Sequence, residues 1–214
     1  MSISHHPSEA TVLAYAAGGL DEGLSVVVAT HLSACLACRD AVRVCEAVGG
    51  QMMAALEAAP MAPDALSRAL SRLDSPIAPP AMPLPRPVAI GFPLPHPLMA
   101  YRLGSWHWIA PGIRHIRILP RRAGRSGLYL LRISPGTAMP EHGHEGNELS
   151  CILTGSYTDE TGQFRPGDLA EMDPDLEHTP VANAGEDCVC LIATDARLRF
   201  RSLLPRLLQP VLGF

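Results

Sequence analysis

In the stretch THLSACLACRD, His31 stands four residues before Cys35, and Cys38 follows three residues later. A helix brings positions i and i+4 onto one face, so His31 and Cys35 can point at one ion, and the short gap to Cys38 suits a tight knuckle. His5 or His6, upstream, closes a four-ligand set. Two thiolates and two neutral imidazoles give Zn²⁺ a tetrahedral, formally neutral environment, the arrangement of structural zinc. A redox Cys-x-x-Cys pair is expected after a strand in a βαβ unit. Here the preceding DEGLSVVVATHLSA reads as a helix opened by Asp21, which favours metal.

A second constellation lies in the other half of the chain. Gly136 is followed after five residues by His142, Gly143 and His144, then after three by Glu148, and after six more by Gly155. In a strand His142 and His144 share one face, and Glu148 arrives from the next stretch, so two imidazoles and a carboxylate converge. MDPDLEHTPVAN offers His178 as a fourth ligand. Zn, Fe, Mn and Ni all accept such a set. Cys188 and Cys190 alternate on one strand face nearby, as two buried thiols or as a redox-active pair.

The elements that must position these residues divide the chain. Three helices are predicted over about 8–17, 21–34 and 37–58, an all-α module of under about 75 residues whose small core a metal would staple. Residues 60–97 hold eleven of the 21 prolines and read as an extended, semi-rigid linker. Within it Asp64 can open a short helix whose Leu66, Leu70 and Leu73 recur at helical spacing, either as a packed stripe or as a face awaiting a partner. After the linker HIRILP, GLYLLRIS, ELSCILTG, SYTDE and DCVCLIATD read as short strands divided by Gly, Pro and Asp turns, an antiparallel β-sandwich or small barrel. The apolar tail from Leu198 to Phe214 is expected to pack back onto it. The division is therefore 1–75 helical, 76–97 linker and 98–214 β-barrel.

Composition narrows the function classes. The 214 residues contain 17 basic side chains, all of them Arg. Without Lys there is no Walker-type phosphate lysine and no Schiff-base lysine. Residues 1–75 carry eight acids against four Arg, which disfavours nucleic-acid binding by the helical part and favours a protein partner, a basic one. Nothing in the sequence approaches the roughly 20 apolar residues of a membrane span, and the start MSISHHPSEA lacks the regions of a secretory signal. A cytoplasmic location follows as the expectation, and the six cysteines fit a reducing compartment.

The spacing from Gly136 to Gly155 matches in every fixed position the first motif of the cupin superfamily. Gly167, Pro174, His178 and Asn183 carry the residue types of its second motif at altered spacing. Taken with HHPSEATVLAYAAGGL, VVVATHLSACLACR, LEHTPVA, TDARLRF and LLPRLLQP, the chain resembles almost end to end the zinc-binding anti-sigma factors of the ChrR type. That resemblance implies a helical module that holds an extracytoplasmic-function sigma factor of the sigma-E group away from core RNA polymerase. It also implies a cupin needed for release under oxidative, especially photooxidative (singlet oxygen), stress. It puts zinc on His6, His31, Cys35 and Cys38, ranking His6 above His5, and zinc or another divalent metal on His142, His144, Glu148 and His178. No catalysis is implied, although ligand identity alone leaves a cupin dioxygenase or isomerase open as the alternative. A DNA-binding repressor has less support, since no recognition helix is evident.

Overall fold

The computed structural model describes residues 3–73, 90–172, 177–196 and 198–200. Four helices come first: α1 (Glu9–Ala16), α2 (Glu22–Ala34), α3 (Leu36–Ala54) and α4 (Ala65–Leu73). A 3₁₀ turn (His96–Leu98) follows, then eleven strands: β1 (His107–Ala110), β2 (Ile113–Leu119), β3 (Gly127–Ile133), β4 (His142–His144), β5 (Glu148–Thr154), β6 (Tyr157–Asp159), β7 (Gly162–Phe164), β8 (Leu169–Met172), β9 (Val181–Ala182), β10 (Cys188–Thr194) and β11 (Leu198–Phe200). The predicted pattern of helices followed by antiparallel β-structure is thus observed. Residues 201–214, for which packing back was predicted, lie outside the described residues.

Local chemistry sets the helix boundaries. Ser8 Oγ accepts from Thr11 N at 3.2 Å and opens α1. Asp21 Oδ1 accepts from Leu24 N at 3.1 Å and opens α2, satisfying donors that the first turn leaves unpaired. Cys35 ends α2 and begins α3: its backbone turns extended, at φ −100° and ψ 110°, and its Sγ accepts from Cys38 N at 3.5 Å. The knuckle is therefore a helix–helix junction, with His31 in the last turn before it and Cys38 in the first turn after it.

The main sheet has the order β1-β2-β3-β10-β5-β8, with every pairing antiparallel. Two smaller sheets, β11-β4 and β7-β6-β9, complete the β part, and the whole is a sandwich rather than one continuous closed ladder. Side chains alternate along a strand. On β10, Cys188 and Cys190 join Ile113, Leu131, Ile133, Ile152, Tyr157 and Met172 in the interior of the sandwich. Val189, Leu191 and Ala193 point the other way, and with Leu128, Leu130, Leu149 and Leu169 they form one cluster with Leu24, Val27 and Val28 of α2.

Both faces of the central strands are therefore covered, which is why GLYLL of β3 and CVCLIA of β10 read as continuous apolar runs. α2 is the second cover. The chain running into the β part contributes too: Ile90 and Leu98 are buried in the same cluster. Ile90, inside the predicted linker, thus packs on the outer layer, because it supplies apolar surface that the layer can bury. Residues 74–89, the rest of the predicted linker, lie outside the described residues.

Candidate metal centres

Four donor residues meet at the helix junction. The ligand atoms of His6, His31, Cys35 and Cys38 all lie within 4.8 Å of one another. His6 Nδ1 is 3.4 Å from Cys35 Sγ and 3.3 Å from Cys38 Sγ, close to the about 3.5 Å expected between nitrogen and sulfur ligands of one tetrahedral zinc ion. His31 Nδ1 donates to the Gly167 carbonyl at 2.8 Å, which leaves Nε2 as the lone-pair nitrogen. That Nε2 is buried without a hydrogen-bond partner, an expensive condition for a polar atom that a cation would relieve. Burial, the largest influence, holds the His31 imidazolium below its ordinary range, so the ring is in the neutral form a metal needs. Burial also pushes the Cys38 thiol up to about 11, with the adjoining Cys35 sulfur adding to it. A bound divalent cation would make a thiolate of Cys38 at neutral pH. The residues thus fit a structural zinc ion, which would tie the N-terminal segment to both helices.

His5, the other candidate, goes elsewhere. Its ring lies 4.2 Å from that of Phe164 and its Nδ1 is 3.4 Å from Asp168 Oδ2. Adjacent residues on an extended segment face opposite ways, so seating one histidine on the β part sends the other to the sulfurs.

In the sandwich interior, His142 and His178 form an isolated antiparallel bridge, His142 N donating to His178 O at 3.2 Å and His178 N to His142 O at 3.0 Å. The pairing places their side chains together, with Nε2 atoms 3.2 Å apart. His142 Nδ1 donates to the Pro140 carbonyl at 2.8 Å and His178 Nδ1 to Asp159 Oδ2 at 2.9 Å. The two Nε2 atoms thus face one another, and the hydrogen bonds at the Nδ1 atoms orient the rings. Burial works against the Asp159 charge, but the bonds from His178 and Thr161 outweigh it and hold the carboxyl below its ordinary range. Glu148, buried at the start of β5, lines the same cavity of about 40 Å³ with His142, His178 and Cys190. His144 ends β4, paired with Leu198; its side chain lies outside the described residues. His142, His178 and Glu148 thus line one cavity, with His178 set there by backbone pairing with His142 rather than by its count along the chain.

Asp159 is the residue the sequence reading missed, since a partner nineteen positions from its histidine has no spacing signal. Cys188 and Cys190 stand as predicted on one face of β10, their sulfurs 3.6 Å apart and buried. The Cys188 sulfur and burial together push the Cys190 thiol well up, so it is protonated and a poor nucleophile at neutral pH.

Residues 100–197 match the family model of the ChrR cupin-like domain. The chain is 44% identical over 216 aligned positions to the anti-sigma-E factor ChrR of Cereibacter sphaeroides, with 98% of each chain covered. It superposes with a TM-score of 0.75 and 38% identity on a chain of the crystal structure of Rhodobacter sphaeroides SigE in complex with the anti-sigma ChrR, covering 91% of this chain and all of that one. With two motif-bearing halves in the same order and near-complete coverage, the chain belongs to the ChrR family of anti-sigma factors.

Proposed function

We propose that this chain is a cytoplasmic anti-sigma factor that binds and inhibits an extracytoplasmic-function sigma factor of the sigma-E group. The organisation is that of residues 1–75 as the sigma-binding part, 76–97 as linker and 98–214 as cupin. Zinc on His6, His31, Cys35 and Cys38 builds the platform. A divalent metal on His142, His144, Glu148 and His178 belongs to the part that relays oxidative or photooxidative (singlet oxygen) stress to release. No helix among the described residues is long and apolar enough to cross a membrane, which is compatible with that location.

The observation that carries the reading is the surface of α4. Leu66, Leu70 and Leu73 are 68%, 53% and 77% exposed on a helix none of whose residues is buried. Such a stripe is costly in water, and helix-in-groove recognition uses apolar anchors at this spacing. Met52 and Met53, at the end of α3, and Leu56, just beyond it, are also exposed. An acidic helical part offering apolar anchors fits a basic protein partner.

The cupin alternative, an enzyme, has less room to work. The cavity of about 40 Å³ beside Glu148, His142 and His178 accommodates an ion and about one water, far below the several hundred Å³ of a typical substrate pocket. The decisive test is co-purification of the chain with the candidate sigma factor, followed by metal analysis of the complex, for wild type and for Leu66→Glu with Leu70→Glu. Wild type should retain sigma and inhibit transcription from its promoter. The double variant should bind more than tenfold more weakly while unfolding within about 0.5 kcal/mol of wild type, as surface changes do. Sigma retained equally by both would remove α4 from the interface, and sigma retained by neither would end the reading.

A further inference from the structure

The turn from Arg165 to Asp168, between β7 and β8, reaches the N-terminal donor cluster from the β side. Its Gly167 carbonyl accepts from His31 Nδ1 at 2.8 Å. Its Asp168 carboxylate accepts the backbone N–H of Ser4 at 2.7 Å and of His5 at 3.1 Å, the two residues that precede His6, and Arg165 N–H at 2.8 Å closes the turn on the same group. The next residue continues the seam, Leu169 N donating to His5 O at 3.1 Å. The approach leaves no slack: Gly167 has φ +94°, and a Cβ there would stand 2.9 Å from Ile3 Cδ1, so both backbone conformation and proximity call for glycine. Two of the four donor residues, His6 and His31, thus take their orientation from a turn more than a hundred residues away in the chain.

That turn is also part of the sandwich wall. Gly167 N donates to Ile152 O at 2.9 Å and Ile152 N to Asp168 O at 3.0 Å, which ties it to β5, the strand that begins at Glu148 beside His142 and His178. We propose that the Arg165–Asp168 turn is a positioning element for the N-terminal metal, so that metal retention at His6, His31, Cys35 and Cys38 and docking of the helices on the β part form one linked equilibrium. This rests on the reading of that cluster as a metal site. Hydrogen bonds to the outer nitrogen of a ligating histidine fix its tautomer and direction, and their loss costs about 10- to 100-fold in metal affinity. The linkage is reciprocal: whatever loosens the turn weakens the metal site, and loss of the metal weakens docking. A disturbance along β5 therefore reaches the helical platform through three backbone contacts and needs no movement of the Pro-rich segment.

The test uses the full chain loaded with Co²⁺, read by the thiolate-to-cobalt charge-transfer absorption and assigned to this cluster by its loss in Cys38→Ser. Transfer of cobalt to excess chelator should be about 10- to 100-fold faster in Gly167→Ala and Asp168→Ala than in wild type. Asp168→Asn, which keeps an acceptor oxygen, should fall between. In the ¹⁵N spectrum of the zinc-loaded wild-type chain, His31 should carry its proton on Nδ1 and the metal on Nε2. Wild-type release rates in both alanine variants, with circular dichroism unchanged, would overturn the proposal. A His31 bound to metal through Nδ1 would overturn it without any variant, and that measurement decides if the variants unfold. Absence of the absorption in wild type would instead overturn the reading of the cluster as a metal site.

Discussion

Replacing Gly23 by alanine isolates the contact between α2 and the sheet. Gly23 lies in the first turn of α2, and a Cβ built there would overlap Ser126 Oγ and stand 3.4 Å from both Ser126 Cβ and the Gly127 carbonyl. The last two distances are tolerable, so the Ser126 hydroxyl is the obstacle, and it must rotate. It is held by the Asp21 carboxylate, which accepts from both the Ser126 hydroxyl and its N–H. A hydrogen bond to a charged group contributes about 1.5–3 kcal/mol, whereas alanine gains up to about 1 kcal/mol over glycine in a helix. Gly23→Ala should therefore destabilise the chain by about 0.5–3 kcal/mol, the difference of those two ranges. In a Ser126→Ala background the obstacle is gone, and the same substitution should be neutral or stabilising by up to about 1 kcal/mol. Urea unfolding of the four proteins of this cycle measures the change of sign. Equal effects of Gly23→Ala in both backgrounds would refute the docking of α2 against Ser126.

Three further outcomes are expected. Cys38→Ser should lower zinc content by one per chain, unfold much of the helical part and abolish sigma inhibition, because metal binding and folding are coupled in small modules; metal analysis with circular dichroism checks this, and an unchanged zinc content would exclude Cys38 as a ligand. His142→Ala with His144→Ala should leave sigma inhibition intact while abolishing stress-induced release in a promoter reporter assay; lost inhibition would mean that the cupin supports binding directly. Burial works to raise the Asp21 carboxyl, but its bonds from Ser126, Leu24 and Gly23 hold it below the ordinary 3.8. Its contribution is therefore present above pH 3.8 and lost as pH falls through the lower folded value. Urea midpoints measured from pH 6 downward should decline less steeply for Asp21→Asn, and parallel curves would remove Asp21 from the acid transition.

The sequence made particular things legible because they are local. Ser8 and Asp21 mark helix starts by residue type, and His31, Cys35 and Cys38 sit within one junction. His142 and His144 stand at strand spacing, while HIRILP, GLYLLRIS and ELSCILTG have strand texture. The sequence marks residues 1–75 off by a Pro-rich stretch but does not show that α2 packs on the sheet, a contact made by residues far apart in the chain. The apolar runs GLYLL in β3 and CVCLIA in β10 carry the signal, since a strand buried on both faces requires a second cover. A fragment ending near Ser75 would bare Leu24, Val27 and Val28, which the sheet covers.

Neighbouring residues dictate the inventory and the local geometry: which side chains can ligate, which of them share a helix turn or a strand face, and in what order the helices and strands come. Which distant groups meet is set by the folded chain. It set His6 against the sulfurs by seating His5 on Phe164 and Asp168, and it brought His178 to His142 through a backbone bridge that ignores motif spacing. It also placed Gly167 behind His31. Periodicity follows from backbone geometry and is written in neighbouring residues. The meeting of residues more than a hundred positions apart follows from burial of the sheet's outer face, a property of the whole chain.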